Sequence, residues 1–192
     1  MTDEPARGPI YTIGHSTRTF DEFTELLRAA GVRAVADVRR FPASRRHPHF
    51  AKDALAAALA EEGIAYQHFP DLGGFRGRRT DSPHTAWRNE MFRSYADHME
   101  SPAFAQALDG LEAWAGEIAV AVMCAEAVPF RCHRQLLADA LIRDGFEVID
   151  IHGPGSVQRR TMTPFARVEG GRIIYDGGET GLFDEPREEG GA

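Results

Sequence analysis

The sequence predicts a single α/β domain over residues 10–177, with a mostly parallel open sheet, helices on both faces and a small C-terminal hairpin. Three observations carry this expectation. Short apolar β-type runs alternate with segments whose apolar residues recur at helical spacing, the pattern of strands joined by helical crossovers. Residues 118–123 are continuously apolar, as in a strand covered on both faces. A chain of 192 residues with 43% hydrophobic content can bury the core of one such domain.

The elements follow in order. Residues 1–9 are a polar lead-in with two prolines, expected to be loose. Residues 10–13 form a first strand, and Gly14-His15-Ser16 turns the chain. Thr19 and Glu22 fit a capping box, after which Phe20, Phe23, Leu27 and Ala30 share one helical face and Gly31 stops the helix. Residues 32–38 are the second strand, ending in Asp37 and Arg39. Two prolines and four arginines make 39–50 an irregular loop. A helix over 51–62, a strand over 64–69 and a second long loop over 70–83 come next. Helices are expected over 85–99 and 102–115, with Ser101 as a cap. The fourth strand, 118–123, runs into a loop that Pro129 keeps from being helical, and a helix begins at Cys132. Residues 147–151 are the fifth strand. Gly170-Gly171 centres a hairpin over 168–175, and residues 178–192 are expected to be a loose tail.

Composition narrows the function classes. No apolar run approaches the length of a membrane span, and the N-terminus lacks the apolar core of a signal peptide, so a cytoplasmic protein with reduced thiols is expected. A net charge of −7 argues against a general nucleic-acid coat. Arginine nevertheless clusters in two loops, at Arg39, Arg40, Arg45 and Arg46 and at Arg76, Arg78 and Arg79, while Lys52 is the sole lysine.

In open parallel sheets, ligands bind beyond the carboxyl ends of the strands. The residues that follow each predicted strand are His15 and Ser16, Asp37 and Arg39, His68, Cys124 and Glu126, and His152. All are expected at one sheet edge, from which both Arg-rich loops also leave.

Five ordered motifs at these positions carry a resemblance. Thr12-Ile13-Gly14-His15-Ser16, Asp37-Val38-Arg39, Pro42-Ala43-Ser44-Arg45, Leu72-Gly73-Gly74, and Cys124-Ala125-Glu126 with Cys132-His133-Arg134 together resemble the family catalogued as domain of unknown function 488. The match runs from about Ile10 to His152. The resemblance implies a compact α/β domain of bacterial and archaeal type and supplies no activity.

The chemistry is therefore argued from residue types. Cys124 follows a strand and precedes a helix, where a thiolate is stabilised, but six residues separate it from Arg131 and Glu126 lies between them. A carboxylate inside an anion cradle opposes a cysteine phosphatase or sulfurtransferase. Two buried thiols acting only as small core residues are the plainer alternative. Glu126 and Asp37 form a possible acid–base pair, against which stands an ion-pair lattice with Arg39, Arg45 and Arg134. His15 and His133 are further candidates for proton transfer. A zinc set of Cys124, Cys132, His133 and His15 matches no common finger or ribbon spacing, so no metal or cofactor is required. Arg39, Arg45, Arg76 and Arg134 suit an anionic ligand, with Ser16, Ser44 and Cys132 beside them and Gly73-Gly74 allowing close backbone approach.

The favoured expectation is a hydrolase or transferase acting on a phosphate-bearing small molecule, nucleotide or nucleic-acid end. Its catalytic candidates are Glu126, Cys124, His15, Asp37 and His133. Two alternatives stand beside it: a non-catalytic nucleic-acid-binding module using the Arg-rich loops, and a thiol redox switch of Cys124 and Cys132.

Overall fold

Among the described residues, six strands form the main sheet in the order β3-β2-β4-β1-β5-β6. They are β1 (Ile10–Gly14), β2 (Ala34–Asp37), β3 (Ala65–His68), β4 (Val120–Cys124), β5 (Val148–Gly153) and β6 (Ser156–Arg159). The first five are mutually parallel and β6 joins antiparallel at the edge. The helices are α1 (Phe20–Ala29), α2 (Lys52–Glu61), α3 (Glu90–His98), α4 (Pro102–Glu117) and α5 (Arg134–Arg143), and β7 (Ala166–Glu169) pairs with β8 (Arg172–Tyr175) in a separate hairpin. This computed structural model describes residues 7–43, 46–74, 76–77 and 79–177. The remaining residues, including most of the two expected loose ends and Ser44 and Arg45, lie outside the described residues. No helix among those described is long and apolar enough to cross a membrane.

Strand order dictates which face each helix covers. From β1 the chain steps to β2 and then β3 in one direction. From β3 it returns to β4, then passes over β1 to β5 in the other. Right-handed crossovers in opposite directions must use opposite faces of the sheet. The two cores agree. Phe23 and Leu27 of α1 and Leu55 and Leu59 of α2 pack on Ile13, Val35 and Met123. Leu108 and Leu111 of α4, Leu137 and Leu141 of α5, and Tyr175 of β8 pack with Ala36, Val122 and Val148 on the other face.

Local chemistry sets most helix ends. Thr19 and Glu22 complete the reciprocal capping box of α1. Ser101 accepts from the Phe104 amide at the start of α4. Two helix starts and one additional strand stand out against expectation. Helix α3 starts at Glu90 rather than Thr85, because Asn89 caps the Met91 amide while Trp87 turns into the core against Phe92 and Tyr175. Helix α5 starts at Arg134, because Pro129–Arg131 form a 3-10 turn and Cys132 is extended. Strand β6 was not expected: all four of its residues are exposed, so no apolar alternation marks it.

One glycine shows how tightly the edge is assembled. A Cβ on Gly14, the last residue of β1, would lie 1.8 Å from the carbonyl oxygen of Glu126. The loop leaving β4 therefore crosses directly over the end of β1. Gly14→Ala is expected to cost about 3 kcal/mol in urea unfolding, the upper range for overpacking. Gly153→Ala, with nothing within 4 Å of the added carbon, should stay within about 0.5 kcal/mol.

Candidate functional site

Strands β1 and β4 are neighbours, yet the chain leaves them toward opposite faces of the sheet. Such a reversal opens a crevice at the strands' carboxyl ends. Two loops meet there. The His15 amide donates to the Cys124 carbonyl at 3.0 Å, and the Ser16 amide to the Ala125 carbonyl at 2.9 Å. Ser16 is the one non-glycine residue at positive φ (48°) among those described, a strained geometry common at functional sites. Two adjoining cavities of about 330 and 410 Å³ open over this edge. They share Arg39, Phe41, Ala125, Glu126 and Arg131.

Arg39 is the fixed cation between them. Its Nε donates to Asp37 Oδ1 at 2.9 Å and its Nη2 to Oδ2 at 2.6 Å, a bidentate pair buried at the end of β2. The Tyr66 hydroxyl donates to the same carboxylate at 2.7 Å, and the Arg39 amide adds a fourth bond at 3.0 Å. Asp37 is thus fully occupied in aiming Arg39. On the other side, Arg39 Nη1 lies 3.3 Å from His15 Nε2. Because a guanidinium only donates, Nε2 must accept, which leaves His15 Nδ1 to donate to the Ser16 carbonyl at 3.0 Å. His15 is therefore the neutral tautomer, stacked on Phe50. His68 donates to the Arg39 carbonyl at 2.8 Å and fixes its backbone.

Below this layer, Arg134 is only 2% exposed. Its Nε donates to Cys124 Sγ at 3.0 Å and Cys132 Sγ at 3.4 Å, and its Nη1 to Thr12 Oγ1 at 3.1 Å. Its Nη2 reaches the carbonyl oxygens of Glu126 and Ala127. Thr12 in turn donates to Asp150, which pairs with Arg160. Among the described residues, no carboxylate is paired with Arg134. The two sulfurs lie 3.1 Å apart, both cysteines free. A hydrogen bond from the Cys124 thiol pulls the Cys132 thiol well below its ordinary range, helped by His133 and Arg134. Burial, and the proton it gives to that bond, hold Cys124 well above its own. Both shifts favour a single proton held between the two sulfurs, opposite Arg134.

The mouth is built differently. Glu126 is exposed, and its carboxylate makes no hydrogen bond or ion pair with a described residue. Arg131 and Arg40 likewise have no carboxylate partner among these residues, and Arg40 lies over the Phe41 ring. Phe41 and Met91 are exposed at 71 and 60% around the same opening. Isolated exposed apolar residues need no explanation, but two beside two uncompensated arginines form a mixed apolar and cationic rim.

Other sequence candidates take supporting positions. His133 Nε2 donates to the Val38 carbonyl at 3.2 Å, and its ring abuts Gly74. The close approach at Gly73 is to the backbone of Arg40, so these glycines let protein loops pack together. Arg76 binds the carbonyls of Pro70 and Asp71 and lines neither cavity. His152 borders a third cavity of about 620 Å³ with Arg18, which meets the 410 Å³ cavity at Ser16, Thr17 and Ala127. Thr12, Phe41, Met91, Arg131 and Asp150 were not among the candidates. Thr12 and Asp150 had a usable signal, as polar residues inside otherwise apolar strand runs. Among the described residues, no group of three or more His, Cys, Asp or Glu is placed to hold a metal ion.

Burial, then the Arg39 charge, lowers the His15 pKa from its ordinary 6.5 to about 4. The unfolded chain takes up this proton near pH 6.5, and the folded chain resists it until about pH 4. The contribution of His15 is therefore complete above pH 6.5 and is lost as pH falls through that window. It should amount to on the order of 1–2 kcal/mol after solvent screening. His15→Gln, which can still donate and accept, should show a shallower loss of urea stability between these pH values. An unchanged slope would contradict the assignment of a buried neutral ring.

No curated protein and no solved structure matches the chain. A family model does match, over residues 19–141, which spans α1 through most of α5. The chain belongs to that family, described as Domain of unknown function DUF488.

Proposed function

We propose that the chain is a hydrolase or transferase acting on a phosphate-bearing ligand, a nucleotide or nucleic-acid end, bound across the two cavities of the carboxyl edge. The carrying observation is the pairing of a fixed cation with an unengaged carboxylate. Asp37 holds Arg39 on one side and His15 on the other, which leaves one N–H each of Nη1 and Nη2 for an anion. Glu126 borders the same two cavities.

The roles follow from geometry. Arg39 and the exposed Arg131 receive phosphate oxygens, a guanidinium fork matching their spacing. Glu126 takes the proton of an attacking water or hydroxyl, as a solvent-facing general base. Ser16, whose strained backbone turns it toward the crevice, contacts the ligand. Asp37 and His15 act as positioning residues through Arg39, and His133 forms a wall. Cys124 and Cys132, enclosed by Arg134, form the floor, so the geometry favours Glu126 over Cys124 as the chemical centre. The rim of Phe41 and Met91 supports ligands with an aromatic ring, because bases stack on such surfaces while arginine holds the phosphate.

Calorimetric binding and mass-detected turnover across nucleoside phosphates, sugar phosphates and short oligonucleotides test this reading. Glu126→Gln is expected to keep binding and lose on the order of 10²–10⁴ in turnover. Arg131→Ala should weaken binding by about tenfold, the scale of one charge-assisted hydrogen bond. Arg39→Ala should abolish binding, with a stability cost of about 3–5 kcal/mol from the unpaired Asp37. Affinity for an oligonucleotide end that falls steeply with salt would separate it from a free nucleotide. A wild-type chain that binds nothing on the panel would remove the proposal.

A further inference from the structure

We infer that Cys124 and Cys132 form a dithiol site that reacts with small-molecule disulfides and closes to an internal disulfide beneath the 330 Å³ cavity. This does not depend on the ligand proposed above. Cysteines serving only as small core residues would sit among apolar atoms. Here both sulfurs face donors: Arg134 Nε lies 3.0 and 3.4 Å away, the Glu126 amide 3.3 Å from Cys124, and the Arg134 amide 3.3 Å from Cys132. The sulfurs are 3.1 Å apart, so a covalent bond of about 2.05 Å requires them to close by only about 1 Å. Both residues line the cavity, which gives a small disulfide its route in.

Cys132 is the attacking residue. It is the more exposed of the two and directly precedes the first turn of α5, whose Arg134 amide points at its sulfur. Its thiolate attacks one sulfur of R–S–S–R, forming a mixed disulfide and expelling one RS⁻ with the electron pair of the broken bond. Cys124, giving its proton to the departing thiolate, then attacks Cys132 Sγ and expels the second RS⁻. Two protein thiols are oxidised and one external disulfide is reduced to two thiols. Balance requires no further reactant.

The buried cation sets the direction of the equilibrium. A closed disulfide offers no thiolate to the Arg134 Nε that faces both sulfurs. Its guanidinium is then left with the Thr12 hydroxyl and the Glu126 and Ala127 carbonyls. A protein that stabilises its reduced form makes an oxidising, readily reduced disulfide. The full chain should therefore stay mostly reduced in glutathione buffers until the oxidised form is in large excess.

The test uses the full native chain with oxidised glutathione, followed by thiol counting, intact mass and peptide mapping. Wild type should lose both thiols together, gain a Cys124–Cys132 cross-link without a retained adduct, and recover both thiols in dithiothreitol. Cys124→Ser should trap one glutathione on Cys132 at least about tenfold faster than Cys132→Ser traps one on Cys124. Thiols that survive in the native chain but react after urea denaturation would overturn the site. So would adducts that accumulate without a cross-link, and this wild-type readout holds even if a serine variant fails to fold. Equal trapping by the two variants would overturn the assignment of Cys132. Ligand binding is not read in any arm, so failure here leaves the phosphate reading to its own test.

Discussion

A guanidinium enclosed by protein must be surrounded by acceptors, and Arg134 collects its own from three separate segments. Thr12 comes from β1, Cys124 from the end of β4, and the Glu126 and Ala127 carbonyls from the loop that crosses over β1. Burying an unpaired cation costs several kcal/mol, and hydroxyl and carbonyl oxygens alone do not neutralise it. The two sulfurs facing the Arg134 Nε are the acceptors placed to hold a compensating charge. One residue in the first turn of α5 thus binds the two central strands and the loop carrying Glu126 into a single assembly.

The upper layer uses the same logic with a carboxylate. Asp37 anchors Arg39 in a bidentate pair and His15 holds its far side, so the guanidinium borders the cavities in one orientation. The two layers differ in what they leave open. Arg134 has its donors turned inward, and Arg39 keeps donors toward the crevice. Glu126, exposed and unengaged by the described residues, hangs from a backbone held from below by Arg134. A rigid floor beneath an unsatisfied carboxylate and a fixed cation is the arrangement expected of a site that holds its geometry before a ligand arrives.

The sheet, its parallel strands and the meeting of His15, Asp37, Arg39, Cys124 and Glu126 at one edge were legible in the sequence. Each follows from a strand end, and strand ends are marked by apolar runs. The roles were less legible. Arg39 and Arg134 are both arginines near strand ends, and only coordinates distinguish the one facing the crevice from the one facing two thiols. Arg76 belongs to an Arg-rich loop but spends its donors on the carbonyls of Pro70 and Asp71. Gly73 and Gly74 correctly marked a close approach, to Arg40 and His133 rather than a ligand. Phe41 and Met91 were invisible as a rim, because they come from two distant segments with no shared pattern. Strand β6 was missed because a fully exposed edge strand carries no alternation.

The central claim is that the Cys124–Cys132 pair carries a negative charge that compensates Arg134. A pH titration of thiolate ultraviolet absorbance on the folded chain tests it most directly. The account expects one thiolate equivalent already present far below the usual thiol pKa of about 8.5, persisting until acid unfolds the chain. No thiolate signal until pH rises to that ordinary value would contradict it.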